Sequence, residues 1–136
     1  MKTISLASLA LALSLCAAPL LAQDKVATVP VRFAKGATGT TVKGAFSGYD
    51  SVNYTLSARA GQTMAIKIKG SGNANFNVFA PGQAPGGGTA MGSGAAGEDW
   101  SARLLATGVY TIQVFQMRAS ARRGERVAYT LSIGVK

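Results

Sequence analysis

Val52-Asn-Tyr-Thr-Leu-Ser-Ala58 and Met64-Ala-Ile-Lys-Ile-Lys69 decide the fold class. In the first stretch Val52, Tyr54, Leu56 and Ala58 alternate with Asn53, Thr55 and Ser57. In the second, Met64, Ile66 and Ile68 alternate with Ala65, Lys67 and Lys69. A period of two sends successive side chains to opposite faces, so each stretch reads as a half-buried strand. Ala60-Gly61-Gln62 between them reads as a short hairpin loop. The same signature recurs at Val29–Phe33, Thr41–Phe46, Asn75–Ala80, Trp100–Leu105, Val109–Met117 and Val127–Val135. No stretch shows a capped 3.6-residue period, and Arg118–Arg126 has room for a helical turn at most. About eight short strands separated by Gly-rich turns predict an all-β chain, an antiparallel β-sandwich or flattened barrel. Val127-Ala-Tyr-Thr-Leu-Ser132 echoes Val52-Asn-Tyr-Thr-Leu-Ser57, although six residues are too few to define a repeat.

The start of the chain reads differently. Met1-Lys2 is basic, Ile4 to Leu15 is uncharged and apolar, and Pro19-Leu-Leu-Ala22 precedes the polar Gln23-Asp24-Lys25. That order is the one of a secretory leader, with cleavage expected after Ala22. Residues 1–22 are thus expected to be a signal peptide and residues 23–136 a single β-sandwich domain delivered to the periplasm. The apolar run is short for a membrane span. Leu15 before Cys16 is large for the residue preceding a lipidated cysteine.

The whole chain has 136 residues, 14 Lys+Arg against 5 Asp+Glu, and a net charge of +9. Without Lys2 and Cys16 the remainder carries 13 basic and 5 acidic residues, a net +8, and neither Cys nor His. No His means no Ser-His or Cys-His nucleophile pair and no imidazole metal ligand. Glu98 and Asp99 are adjacent, so in a strand they point apart and do not flank one bond. Gly86-Gly-Gly88 lacks the Lys-Ser/Thr and the strand-to-helix setting of a phosphate loop. The chain is therefore not expected to be an enzyme, and no cofactor or metal site is expected. A basic balance suits a nucleic-acid surface, but secretion argues against that partner, and no stable membrane insertion is expected. A homodimer stays open.

Three segments stand out. Arg118-Ala-Ser-Ala-Arg-Arg-Gly-Glu-Arg126 holds four of the seven arginines. Guanidinium groups are planar forks that pair bidentately with carboxylates, so a cluster of them suits an acidic partner, while the bland alternative is a solvated loop tip. Gly48-Tyr49-Asp50 reads as a turn in which Asp50 caps backbone. Pro81–Gly97 contains seven of the seventeen glycines and reads as a long loop without packing of its own.

Taken together, the chain resembles the bacterial periplasmic lysozyme inhibitors directed at invertebrate-type and goose-type lysozymes. The resemblance covers nearly all of residues 23–136. It is carried by Phe46-Ser-Gly-Tyr-Asp50, Tyr54-Thr-Leu-Ser-Ala-Arg-Ala-Gly61, Asn75-Phe-Asn-Val-Phe-Ala-Pro-Gly82 and, most specifically, Gly108-Val-Tyr-Thr-Ile-Gln-Val-Phe-Gln-Met-Arg-Ala-Ser-Ala-Arg-Arg-Gly124 followed by Tyr129-Thr-Leu131. It implies a β-sandwich that binds lysozyme in its substrate cleft. The Ser-Gly-x-x-aromatic loop of the invertebrate-type inhibitors corresponds to Ala96-Gly97-Glu98-Asp99-Trp100, where Ala96 replaces Ser and Ser93 lies nearby. The goose-type inhibitors resemble the chain around Gly48-Tyr49-Asp50 and the arginine segment. The lysozyme-binding residues it implies are Tyr49, Asp50, Ser93, Gly97, Trp100, Arg118, Arg122 and Arg123. A competing reading is a non-catalytic envelope glycan- or peptidoglycan-binding module of the pre-peptidase C-terminal type, with Tyr49 and Trp100 as stacking platforms. A third is a basic structural protein of the envelope.

Overall fold

The structure, a computed structural model, describes residues 24–136. The leader expected over residues 1–22, with Cys16 in it, lies outside the described residues. The strands are β1 (Val26–Pro30), β2 (Gly39–Ser47), β3 (Ser51–Ala58), β4 (Thr63–Gly70), β5 (Asn75–Phe79), β6 (Gly92–Ala95), β7 (Asp99–Arg103), β8 (Gly108–Phe115) and β9 (Arg126–Val135). One helical turn, α1 (Arg118–Arg122), joins β8 to β9. Sheet A has the order β1-β3-β8-β5-β6 and sheet B the order β2-β9-β4-β7. They pack face to face as a sandwich.

The period-two residues fill the space between the sheets. Tyr54, Leu56, Phe76, Val78, Tyr110, Ile112 and Val114 project from sheet A; Phe46, Met64, Ile66, Ile68, Val127, Leu131 and Ile133 project from sheet B. Removal of this apolar surface from water is the main term holding the sheets together.

Connectivity departs from the hairpins expected from the sequence. Ala60-Gly61-Gln62 leads from sheet A to sheet B, and Thr63 bonds to Lys136 rather than back to β3. The arginine segment likewise carries the chain from sheet A to sheet B. Among the described residues only β5–β6 is a hairpin between sequential strands; every other connection changes sheet. Because β2 lies in the other sheet, β1 and β3 start from the same end and pair in parallel, Val26 opposite Ser51. Among the described residues this is the one departure from an otherwise antiparallel pattern. Gly92–Ala95 in the long Gly-rich segment is a short edge strand, paired with β5 through Phe76 opposite Gly94.

The two echoing hexapeptides face each other across the sandwich. The Tyr54 and Tyr129 hydroxyls meet at 2.6 Å, their rings edge to face at 84°. Burial pushes both phenols above their ordinary value. The unfolded chain releases phenol protons near pH 10, whereas the folded chain retains them. Stability from this pair is therefore complete below about pH 10 and declines as pH rises above it. Urea unfolding at neutral and strongly alkaline pH is expected to show this decline. It should be shallower with Tyr54→Phe plus Tyr129→Phe; an equally steep decline in that variant would assign the effect elsewhere.

Candidate functional site: the arginine end of the sandwich

Each strand runs from one end of the sandwich to the other, so the connections alternate between two ends. The β2–β3, β4–β5, β6–β7 and β8–β9 connections share the end that carries the arginine segment.

The β8–β9 segment is built around α1. Arg118 and Arg122 stand four apart, on one side of the turn. Ala121 turns inward and is 3% exposed, which anchors the helix. The helix ends where Gly124 adopts φ +67°. Gly124 N–H donates to Ala121 O at 2.9 Å and Glu125 N–H to Ser120 O at 3.2 Å. That pair of bonds is the Schellman arrangement, and it needs a residue tolerant of the left-handed region at Gly124. Glu125 then pairs with Arg123, its Oε2 lying 2.7 Å from Nη2 and 3.0 Å from Nε. Among the described residues, Arg118 and Arg122 make no ion pair or side-chain hydrogen bond and are exposed.

The Gly48-Tyr49-Asp50 turn abuts this segment. Gly48 N–H donates to Glu125 O at 3.1 Å, and Asp50 N–H closes the turn on Ser47 O at 3.2 Å. Tyr49 is 47% exposed, a large ring held out beside the arginines. Asp50 Oδ1 accepts the Lys25 N–H at 2.8 Å. Its carboxylate is thus engaged with backbone, as the turn reading expected, and not with an arginine.

The residue that joins these pieces is Gln116, which the sequence reading did not single out. It is 6% exposed. Its Nε2 donates to Gly48 O at 2.9 Å and to Glu125 O at 2.7 Å, and its Oε1 accepts from Asn73 Nδ2 at 2.9 Å. One buried amide therefore ties the tyrosine turn, the arginine segment and the β4–β5 loop together. Its signal was in the alternation: Tyr110, Ile112 and Val114 point inward, and the next inward position is Gln116.

The other residues of the sequence-based set lie along the β6–β7 edge. Gly97, exposed at φ +90°, donates its N–H to Ile68 O at 3.0 Å. Ser93 sits on edge strand β6 opposite Asn77. Trp100 is half-buried against the core, its indole occupying the place where a Cβ on Gly92 would be. The structure thus gathers Tyr49, Asp50, Arg118, Arg122 and Arg123 on two adjoining turns, with Gly97 on the β6–β7 connection of the same end and Ser93 and Trp100 on the edge strands that this connection joins.

Electrostatically this end is mixed. All five carboxylate side chains of the described residues, Asp24, Asp50, Glu98, Asp99 and Glu125, belong to it or to the strand ends leading into it. The arginine segment itself holds four cations against one carboxylate, and it is the carboxylates of the neighbouring segments that make the end as a whole mixed.

No family model matches the chain. The inhibitor of g-type (goose-type) lysozyme of Escherichia coli K12 is 31% identical over 108 residues, 79% of this chain and 80% of that protein. The crystal structure of Aeromonas hydrophila PliG, a periplasmic inhibitor of g-type lysozyme, is 56% identical with a TM-score of 0.81, covering 84% of this chain and all (100%) of that one. Salmonella Typhimurium PliG is 28% identical with a TM-score of 0.63, over 81% of this chain and 98% of that one. The pre-peptidase C-terminal domain of a Bacillus anthracis collagenase, 14% identical with a TM-score of 0.51, shares the fold alone. The chain belongs to the family of periplasmic inhibitors of g-type lysozyme.

Proposed function

We propose that this protein, delivered to the periplasm by a leader spanning residues 1–22, inhibits a g-type lysozyme by placing its arginine end in the substrate cleft. The observation that carries the reading is the pair of unengaged guanidinium groups, Arg118 and Arg122, on one side of a helical turn beside the exposed Tyr49. A glycosidase cleft holds a carboxylic acid that must donate its proton to the leaving oxygen. A guanidinium bonded to that group holds it ionised and occupies the space of the sugar. Arg118 and Arg122 are the residues assigned to this role. Arg123, braced by Glu125, supports the segment and supplies positive potential. Tyr49 is the aromatic anchor, the residue class that dominates interface energetics. Asp50 fixes the turn that presents it. Ser93, Gly97 and Trp100 are assigned to the rim.

The carboxylates interspersed at this end also matter for encounter. Many lysozymes are basic, and a uniformly cationic end would be repelled at long range. A mixed end leaves short-range pairing to decide. The test is a titration of peptidoglycan hydrolysis by a g-type lysozyme with the protein recovered from periplasm. Inhibition at micromolar concentration or below is expected, and full activity throughout would overturn the assignment.

A further inference from the structure

The end opposite the arginine segment carries a different chemistry. Arg32 and Lys35 lie on the β1–β2 connection, Arg59 on β3–β4, Arg103 at the end of β7 and Lys136 after β9. All five are exposed, and none of these connections carries a carboxylate side chain. Of the net eight positive side-chain charges of the described residues, five therefore sit here.

Three of these cations are fixed close together. Gly61 N–H donates to Leu104 O at 2.8 Å, Leu104 N–H to Gln62 O at 2.7 Å, and Ala60 N–H to Thr107 Oγ1 at 3.0 Å. These bonds clip the Arg59 loop to the β7–β8 loop. Thr63 pairs with Arg103 on one side and bonds to Lys136 on the other, at 2.8 and 3.0 Å. At the crest of this knob Leu104 turns inward at 0% exposure, while Leu105 points out at 88%. Val109, 53% exposed, stands just below.

We propose that this end docks the protein on an anionic phospholipid surface, with Leu105 entering the interface and Arg59, Arg103 and Lys136 meeting headgroup phosphates. Clustered basic residues are drawn to anionic leaflets, and an apolar side chain at the crest adds burial in the acyl boundary. A soluble polyanion would engage the cations but gives no role to a leucine exposed to 88%. Among the described residues no helix is long and apolar enough to cross a membrane. Strands of eight residues place the two ends about 25 Å apart, against a screening length of about 8 Å, so they act independently. Docking by this end leaves the arginine end facing away from the membrane. The inference does not depend on the lysozyme reading.

Vesicle flotation tests it, using the periplasmic protein with vesicles of phosphatidylglycerol and phosphatidylethanolamine, or of phosphatidylcholine alone. Binding to the anionic vesicles only is expected. Arg59→Glu with Arg103→Glu should weaken it by about tenfold or more, and Leu105→Ser by about fivefold. Both variants should keep the wild-type melting temperature and lysozyme inhibition. Arg118→Ala with Arg122→Ala should bind vesicles as the wild type does. Equal binding to neutral vesicles would overturn the proposal, as would equal loss in the Arg118/Arg122 variant. Wild-type vesicle binding by Leu105→Ser, displaced by soluble heparin, would assign the end to a polyanion and overturn it as well.

Discussion

Alanine at both Arg118 and Arg122 is expected to weaken inhibition of a g-type lysozyme by about two orders of magnitude or more. Removing one partner of a buried charge pair costs about 2–5 kcal/mol, and each 1.4 kcal/mol is about a factor of ten in affinity. The melting temperature should move by about 2 °C at most, because neither side chain is engaged within the described residues and exposed substitutions cost little. Arg123→Ala alone should cost less affinity and somewhat more stability, since Arg123 spends its guanidinium on Glu125. Inhibition constants read beside melting curves separate these cases. A large fall in melting temperature for Arg118→Ala plus Arg122→Ala would mark the two arginines as structural.

Gln116→Leu is expected to do the reverse in order of cause: it loosens the support and the site follows. The substitution leaves Gly48 O without the amide that serves it and takes one of two donors from Glu125 O, which keeps the Gly48 N–H. An orphaned buried carbonyl costs about 1–3 kcal/mol. With the lost Asn73 bond the expected destabilisation is about 2–3 kcal/mol, or about 10 °C in a domain of this size. Measured well below that melting point, where all molecules are folded, inhibition should still be weaker by about tenfold, because the tyrosine turn and the arginine segment are then held together by the Gly48 N–H to Glu125 O bond without the amide that bridges both. Unchanged inhibition at that temperature would show that the two segments do not need Gln116 to stay in register.

The strands were legible because burial on one face forces alternation, and Tyr54, Leu56, Ile66 and Ile68 obey it. The sheet each strand joins was not legible. A short connection such as the one through Ala60-Gly61-Gln62 suits a hairpin as well as an arch, and the choice is made by Thr63 finding Lys136 and Arg103. Strand β6 was hidden because Gly92 and Gly94 look like loop residues. They are glycines since the Trp100 and Phe76 rings take the place of their side chains, Phe76 within 2.7 Å of a Cβ built on Gly94. At the site, the arginines and Tyr49 could be picked out by residue type. The distribution of carboxylates could not, because Asp24, Asp50, Glu98, Asp99 and Glu125 are brought to one end only by the alternation of connections.

The central claim is that the arginine end occupies the lysozyme cleft. Its most direct test is the affinity of this protein for a g-type lysozyme, measured with the cleft empty and with the cleft filled by a peptidoglycan oligosaccharide. Strict competition is predicted, with affinity falling in proportion to the occupied fraction for the wild type and little binding left to compete for in Arg118→Ala plus Arg122→Ala. Undiminished binding to the oligosaccharide-filled enzyme would contradict the account.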